Sequence, residues 1–208
     1  GGEVTVTLNH FSTYGITDTK RDTAVADVNG TLYTDLKAAI AAANDSQDAT
    51  VTVKLLAGVV VDSDGATHNN GALNINRPMT INGQNHKISV TDTFSDNLIT
   101  EQLPNPSVHV INILSNNVIL QNITIDGNHK AQHGVQAYMA TGIQLTNVTS
   151  INNRGYGVVV NTSEVTADEL YTSDNGWGGV NVDTRTTTTG NASFTMNSGT
   201  LSDANALY

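Results

Sequence analysis

The clearest pattern in this chain is a stretch of alternating apolar and polar residues that returns after a constant interval. Residues 143–148 read Ile-Gln-Leu-Thr-Asn-Val, and residues 165–170, about 22 positions later, read Val-Thr-Ala-Asp-Glu-Leu. The same shift superimposes 157–160, Gly-Val-Val-Val, on 179–182, Gly-Val-Asn-Val. Apolar residues at every second position indicate short strands that bury one face. Two landmarks that agree on one spacing without a gap predict a stacked repeat.

Less regular copies flank this pair. Residues 118–124 lie about 25 positions upstream of the first landmark, and 134–137 precede the second by about 23. Downstream, 194–196 follow by about 29 positions, and the extra length is the polar run 186–190. A solenoid tolerates turns of variable length because turns point outward, whereas its strands must stack.

The corners of the repeat carry asparagine and glycine. Asn-Asn at 152–153 falls over Asp-Asn at 174–175, where the side-chain amides of successive coils can form a ladder and the backbone can adopt the left-handed conformation. Gly134, Gly157 and Gly179 recur just before the second strand, where a tight turn favours a residue without Cβ. Left-handed solenoids show a six-residue beat that is missing here. We therefore predict an all-β fold, a single-stranded right-handed parallel β-helix of about 22 residues per coil.

The first third of the chain contains one segment with helical periodicity. Residues 34–44 place Leu36, Ile40 and Ala43 on one face, with Thr34 as the predicted N-cap. Because the end of a β-solenoid exposes an apolar cross-section, we expect this helix to cap the N-terminal end.

We expect two units along the chain. Residues 1–24 are interpreted as a leading strand (4–13) and a linker, and residues 25–208 as the β-helix. The leading strand is either the remnant of a preceding domain or an edge strand that pairs with the first coil. The C-terminus stops within the repeat, so further coils or domains are expected in a longer protein. The strands predicted ahead of the repeat are 50–56, 72–75, 79–81 and 87–90.

Charge and composition narrow the class of protein. The formal net charge is -10, from 19 acidic and 9 basic residues, which leaves no basic face for nucleic acid or for anionic membrane surfaces. There is no cysteine, and no apolar run approaches the roughly 18 residues that predict a transmembrane helix. These features favour an extracellular protein, secreted or displayed on a bacterial surface.

Four segments carry a resemblance to a known superfamily. They are TLYTDLKAAI at 31–40, VTVKLLAG at 51–58, INRPMTING at 75–83 and NVILQNITIDG at 117–127. Together they resemble the pectate-lyase-like right-handed parallel β-helix superfamily, and within it the β-helix domains of large bacterial cell-surface and S-layer-associated proteins. The resemblance implies the fold but not one activity, since this superfamily includes lyases, hydrolases, epimerases, phage tailspikes and inert stalks.

The catalytic patterns of that superfamily are incomplete in this chain. Its lyases bind Ca²⁺ through several carboxylates and use Arg or Lys as a base, for which this chain offers Asp126, Asp174, Asp183 and Arg154. Its polygalacturonases carry a Gly-His-Gly, of which only His133 and Gly134 are present. The catalytic candidates are therefore Asp126, His133 and Arg154. Asp126 and Asp174 fall at corners, where Asp bonds to its own backbone, and Asp183 has no carboxylate neighbour in its column. We predict no metal site and no cofactor, although Ca²⁺ stays an option if the chain is a lyase.

Aromatic residues suggest a binding surface. At the coil offsets, His133 lies under Tyr156, Tyr138 lies under Asn161 and Asp183, and Trp177 is one position away from the next member. Tyr138, Tyr156, Trp177 and Asp183 are therefore the candidate ligand-binding residues, because flat rings beside planar hydrogen-bonding groups suit sugars.

The function expected from the sequence is that of a non-catalytic stalk or adhesin-like module, with a glycan or cell-surface polymer as its partner. The alternative is a polysaccharide lyase or glycoside hydrolase whose site uses Asp126, His133 or Arg154, or lies beyond these residues. An acidic polymer would be repelled by the net charge unless a cation bridged the two.

Overall fold

A computed structural model describes residues 23–184 and 190–208, which form a parallel β-solenoid of about six turns. In chain order the elements are β1 Ala26–Val28, β2 Thr31–Tyr33, α1 Leu36–Asp45, β3 Thr52–Leu55, β4 Val59–Val61, β5 Asn70–Ile75, β6 Thr80–Asn82, β7 Lys87–Val90, a 3-10 turn Asp96–Leu98, β8 Val108–Ile113, β9 Ile119–Asp126, β10 Val135–Tyr138, β11 Ile143–Ile151, β12 Tyr156–Asn161, β13 Glu164–Ser173, β14 Gly178–Asp183, β15 Ser193–Met196 and β16 Gly199–Leu201.

The strands form two sheets. Five of them, in the order β14-β12-β10-β8-β5, form one sheet, and the other eleven form the second. Pairing is parallel throughout except around β1, which is antiparallel to β2 and β3. Each parallel strand therefore pairs with its equivalent in the next coil.

The register confirms the predicted repeat. Val158 lies opposite Val180, and Ile143 lies opposite Val165. The irregular copies also pair in the predicted register, since Val165 pairs with Phe194 despite the polar insert between them. The alternation of apolar positions thus predicted which residues stack.

The long strands β9, β11 and β13 each consist of two straight segments joined at a residue in the left-handed conformation. These residues are Asn122, Asn147 and Glu169, with φ of 52°, 51° and 56°. The first segment of β9 pairs with β6 and the second with β7, so the bend creates a further side of the coil. The Nδ2 of Asn147 donates to the Oδ1 of Asn122 at 3.0 Å, which places an amide ladder at this bend.

The predicted amide ladder at the other corner is confirmed. The Nδ2 of Asn153 donates to the Oδ1 of Asn175 at 2.7 Å, and its backbone N–H donates to the same oxygen at 3.0 Å. Asn152 and Asp174, one position earlier, adopt φ of 56° and 57°. Both asparagine side chains are buried, and these bonds satisfy the Nδ2 of Asn153 and the Oδ1 of Asn175, whereas the Oδ1 of Asn153 has no partner among the described residues.

The apolar columns of both sheets meet in one interior. Each fully buried aliphatic or phenylalanine side chain contributes about 1.5–3 kcal/mol through removal from water. The largest of these fully buried side chains are Phe94, Leu55, Leu73, Ile75, Ile88, Ile111, Ile113, Leu120, Ile125, Ile143, Leu145 and Leu170.

Helix α1 begins one residue later than expected. Its N-cap is Asp35, whose Oδ1 accepts a hydrogen bond from the backbone N–H of Ala38 at 2.7 Å, so the prediction of Thr34 as the cap is wrong. A carboxylate satisfies a free N–H at least as well as a hydroxyl, and it also complements the helix dipole. The predicted apolar face is buried, and the helix packs against β1, β3 and β5.

The leading strand 4–13 and most of the linker lie outside the described residues, as does most of the polar insert. Within the part of the chain that the structure describes, no helix is long and apolar enough to cross a membrane.

Candidate functional site

A column of rings runs across successive coils beside the five-stranded sheet. The imidazoles of His109 and His133 stack with centroids 4.9 Å apart and planes at 21°, and Tyr156 stacks on His133 at 5.7 Å and 24°. Trp177 meets Tyr156 edge-on at 5.6 Å, and Tyr208 stacks on Tyr156 at 6.4 Å. We call these five residues the aromatic column.

Burial changes steeply along the aromatic column. His109 is 2% exposed, whereas Trp177 is 53% and Tyr208 75% exposed. Flat rings that are packed at one end and open at the other offer an apolar surface that neighbours already hold in place.

Local geometry explains how a ring fits between two coils. A Cβ at Gly155 would lie 2.6 Å from both the backbone oxygen of Gln132 and the Cε1 of His133, so only glycine leaves room for the imidazole. The backbone N–H of Tyr156 donates to the Nδ1 of His133 at 2.9 Å. This bond requires a proton-free Nδ1, so the neutral ring carries its proton on Nε2.

Both buried imidazoles are held neutral. Burial, with smaller contributions from the neighbouring His133 and His68, lowers the pKa of His109 to about 3. Burial lowers the pKa of His133 to about 4, with an additional contribution from the charge of Arg154. The Nδ1 of His109 is buried and has no hydrogen-bond partner among the described residues.

The two histidines line a groove of about 580 Å³ that crosses four strands of the five-stranded sheet. Its walls come from β5, β8, β10, β12 and the turns before β5 and β8. The lining residues are Thr67, His68, Asn69, Asn70, Ser107, His109, Asn112, Leu114, His133, Gln136, Tyr138 and Asn161.

A ladder of side-chain amides forms part of this groove. The Nδ2 of Asn112 donates to the Oδ1 of Asn70 at 2.9 Å, and the Nε2 of Gln136 donates to the Oδ1 of Asn112 at 3.2 Å. These bonds hold the amides at fixed positions on consecutive strands. A fixed row of amides beside rings can hydrogen-bond to hydroxyl groups with little ordering cost.

The predicted binding residues lie at different distances from this groove. Tyr138 lines it and lies opposite Asn161, which in turn lies opposite Asp183. Asp183 is exposed, accepts the N–H of Thr184 at 2.7 Å and lies outside the lining. Tyr156 and Trp177 belong to the aromatic column.

The three catalytic candidates are not brought into one site. Only His133 lines the groove; Asp126 lies in a separate open depression with Lys87, where their side chains form an ion pair at 3.1 Å. Partial burial by itself would raise the pKa of Asp126, but hydrogen bonds from Asn152, Asn128 and Lys87 together hold that pKa below its ordinary value.

Arg154 holds a loop rather than facing the groove. Its Nη2 donates to the carbonyl oxygen of Pro106 at 2.6 Å and to the Oε1 of Gln132 at 3.1 Å. Since Ser107 forms part of the groove wall, this guanidinium positions the wall.

No group of three or more His, Cys, Asp or Glu residues within 23–184 and 190–208 is arranged to hold a metal ion.

Asp174 adopts its left-handed corner conformation, as the sequence predicted for a turn.

Sequence reasoning missed His109, Asn112 and Asn70. The signal was present, because the Val-His-Val-Ile-Asn-Ile run at 108–113 precedes 132–137 by the usual coil spacing. The long excursion at 91–107 separates this strand from the earlier coils and hid the match. The amide ladder was predicted only for the corners.

Comparison of the chain with protein-family models, with curated proteins and with solved structures finds no match.

Proposed function

We propose that this chain is a non-catalytic β-solenoid module that binds carbohydrate in the groove between the aromatic column and the amide ladder. The observation that carries the proposal is this side-by-side arrangement: rings of His109, His133 and Tyr138 next to hydrogen-bonded amides of Asn112 and Gln136. Sugar rings present an apolar face and equatorial hydroxyls, and this groove offers a matching surface for each.

The alternative, a polysaccharide lyase or glycoside hydrolase, is less well supported. Glycoside hydrolysis requires a pair of carboxyl groups that face each other across the bond to be cleaved. Among the residues that the structure describes, no Asp or Glu lines the groove, and Asp126 lies elsewhere in an ion pair. We therefore favour binding without turnover.

We also infer the wider setting of the module. Parallel crossover connections are right-handed in almost all proteins, which favours a right-handed coil here. The buried face of α1 against β1, β3 and β5 supports a role as the N-terminal cap. With the sequence resemblance, these features support a place in the pectate-lyase-like superfamily, and the acidic, cysteine-free composition suits a secreted or surface-displayed bacterial protein.

The proposal is tested with a glycan panel and the fluorescence of the single tryptophan. Trp177 is the only tryptophan in the chain and belongs to the aromatic column, so a ligand in the adjacent groove should change its emission. We expect at least one oligosaccharide to bind, and Tyr138→Ala to weaken it about tenfold, as the loss of an aromatic anchor does.

Tyr171→Ala is the matched control, because Tyr171 is an exposed tyrosine on the eleven-stranded sheet. Its binding curve should overlay that of the unmodified chain. Equal loss in both variants, or release of reducing ends or unsaturated products from any polysaccharide, would argue against the proposal.

A further inference from the structure

No Asp, Glu, Lys or Arg is among the described residues that line the groove. His133 uses its Nδ1 to accept the backbone N–H of Tyr156 at 2.9 Å, so this nitrogen carries no proton. The Nδ1 of His68 accepts the backbone N–H of Ser107, also at 2.9 Å.

The deepest histidines are further restrained by their packing. His109 and His133 are both buried and stack at 4.9 Å, so a proton on one ring would place a poorly hydrated charge against its neighbour. Burial disfavours the charged form of an imidazole, and a like charge nearby adds to that effect. These rings therefore present an uncharged floor.

The cation next to these histidines, Arg154, already forms hydrogen bonds to other groups. Arg154 acts electrostatically on His133, but its Nη2 is bonded to the carbonyl of Pro106 and to Gln132. At the other end of the groove the charge is negative: Asp183 lies opposite Asn161, and with burial and Tyr208 it raises the pKa of Tyr156.

A carboxylate that leaves water needs a cation or several N–H donors, and pairing with Arg or Lys is the usual solution. The donors of this ladder are neutral amides, each with one bond to the next amide, and the protein around them carries a net charge of -10. Such amides can bond to a neutral hydroxyl but do not supply the cation that compensates a carboxylate. We propose that the groove selects uncharged glycans and discriminates against chains of uronic acids. This inference rests on the proposed function and names its ligand class.

The length of the groove sets the size of the ligand. It crosses β5, β8, β10 and β12, which are three strand spacings of about 4.8 Å, or roughly 14 Å in all. An extended oligosaccharide that crosses the strands would meet one ladder position per strand. A single monosaccharide would meet only one or two.

The test uses neutral and carboxylated oligosaccharides of equal length, such as oligogalactose and oligogalacturonate, with the neutral member drawn from the hits of the panel. Titrations follow Trp177 emission at neutral pH, with a chelator present so that no divalent ion bridges the charges. We expect the uronate to bind at least about tenfold more weakly than its neutral counterpart. Equal or tighter binding of the uronate overturns the selectivity while leaving glycan binding intact.

A variant that introduces a positive charge into the groove tests the selectivity independently. Gln136→Arg places a guanidinium in the groove and should narrow or reverse the preference, whereas Thr166→Arg, on an exposed position of the eleven-stranded sheet, should not. An unchanged preference in Gln136→Arg contradicts the inference. If neither sugar series binds the unmodified chain, the proposed function itself fails, and the selectivity fails with it.

Discussion

The outer faces of the two sheets differ, although their inner faces share one core. On the eleven-stranded sheet, Gln144 and Thr166 lie opposite each other and are exposed, as short polar side chains commonly are. On the five-stranded sheet, Asn112 and His109 are almost fully buried although they are polar. The difference arises because turns at 67–69 and Ser107 build walls beside that sheet, while the other outer face stays open.

Stacking of the coils restricts which residues can occupy the inner faces of the strands, but it leaves the outer faces free to vary. Interior columns must be apolar on both sheets because every coil depends on them. An outer face is free to vary until adjacent turns bury it, and then each polar group needs a partner. In the groove the amide ladder provides partners for Asn112 and Gln136, whereas the Nδ1 of His109 has no partner among the described residues.

The largest loss of stability should come from substitutions in the interior that the two sheets share. Leu145→Ala in the eleven-stranded sheet and Leu73→Ala in the five-stranded sheet should each lower the free energy of unfolding by about 2–5 kcal/mol, since both side chains are fully buried. Urea unfolding followed by circular dichroism measures both. If one variant cost less than about 1 kcal/mol, the two sheets would not share one cooperative core.

The second largest effect should be a loss of stability between pH 7 and pH 5, which arises from the buried histidines of the groove. The lowered pKa values of His109 and His133, about 3 and about 4, mean that the unfolded chain binds more protons than the folded one below pH 6.5. Their stability contribution is nearly complete above pH 7 and falls as the pH falls, by about 2 kcal/mol per ring between pH 7 and pH 5.

His109→Phe should therefore lose part of this pH dependence, because it keeps a ring in the column but removes the titrating group. The melting temperature measured from pH 7 to pH 5 reports the change. His129→Gln is the matched control, because this side chain is exposed. A melting temperature of His109→Phe that falls as steeply as that of the unmodified chain would contradict the assignment.

A smaller loss of stability should follow from filling the space that Gly155 leaves open beside the aromatic column. Gly155→Ala forces a Cβ against a backbone oxygen and the ring of His133, and should cost about 1–3 kcal/mol and weaken glycan binding. Gly58→Ala is the control, because its Cβ would meet only the oxygen of Lys87 at an ordinary 3.5 Å. Binding that survives in Gly155→Ala would show that the position of His133 does not matter.

The sequence predicted the interior better than the groove, for a physical reason. Stacked apolar columns leave a periodic record, so Ile143 with Val165 and Val158 with Val180 could be paired directly. The cap of α1 was misplaced by one residue because threonine and aspartate cap helices almost equally well.

The groove was only half predicted. His133 and Tyr138 follow the repeat and were identified, as was Tyr156 in the adjacent aromatic column, but the walls come from turns whose length and course no periodicity encodes. The position of Arg154 depends on the carbonyl of Pro106, a partner 48 residues away in sequence, and could not be read from a local pattern.

The claim on which the other conclusions depend is the register between coils, and cross-linking tests it directly. The chain has no cysteine, so a Gln144→Cys/Thr166→Cys pair can be introduced without competing thiols. Directly opposite residues on parallel strands lie about 4.8 Å apart, within disulfide reach, whereas Gln144→Cys/Asp168→Cys is displaced by two residues and lies beyond it. The account predicts rapid intramolecular oxidation of the first pair only; equal or preferred oxidation of the second would contradict it.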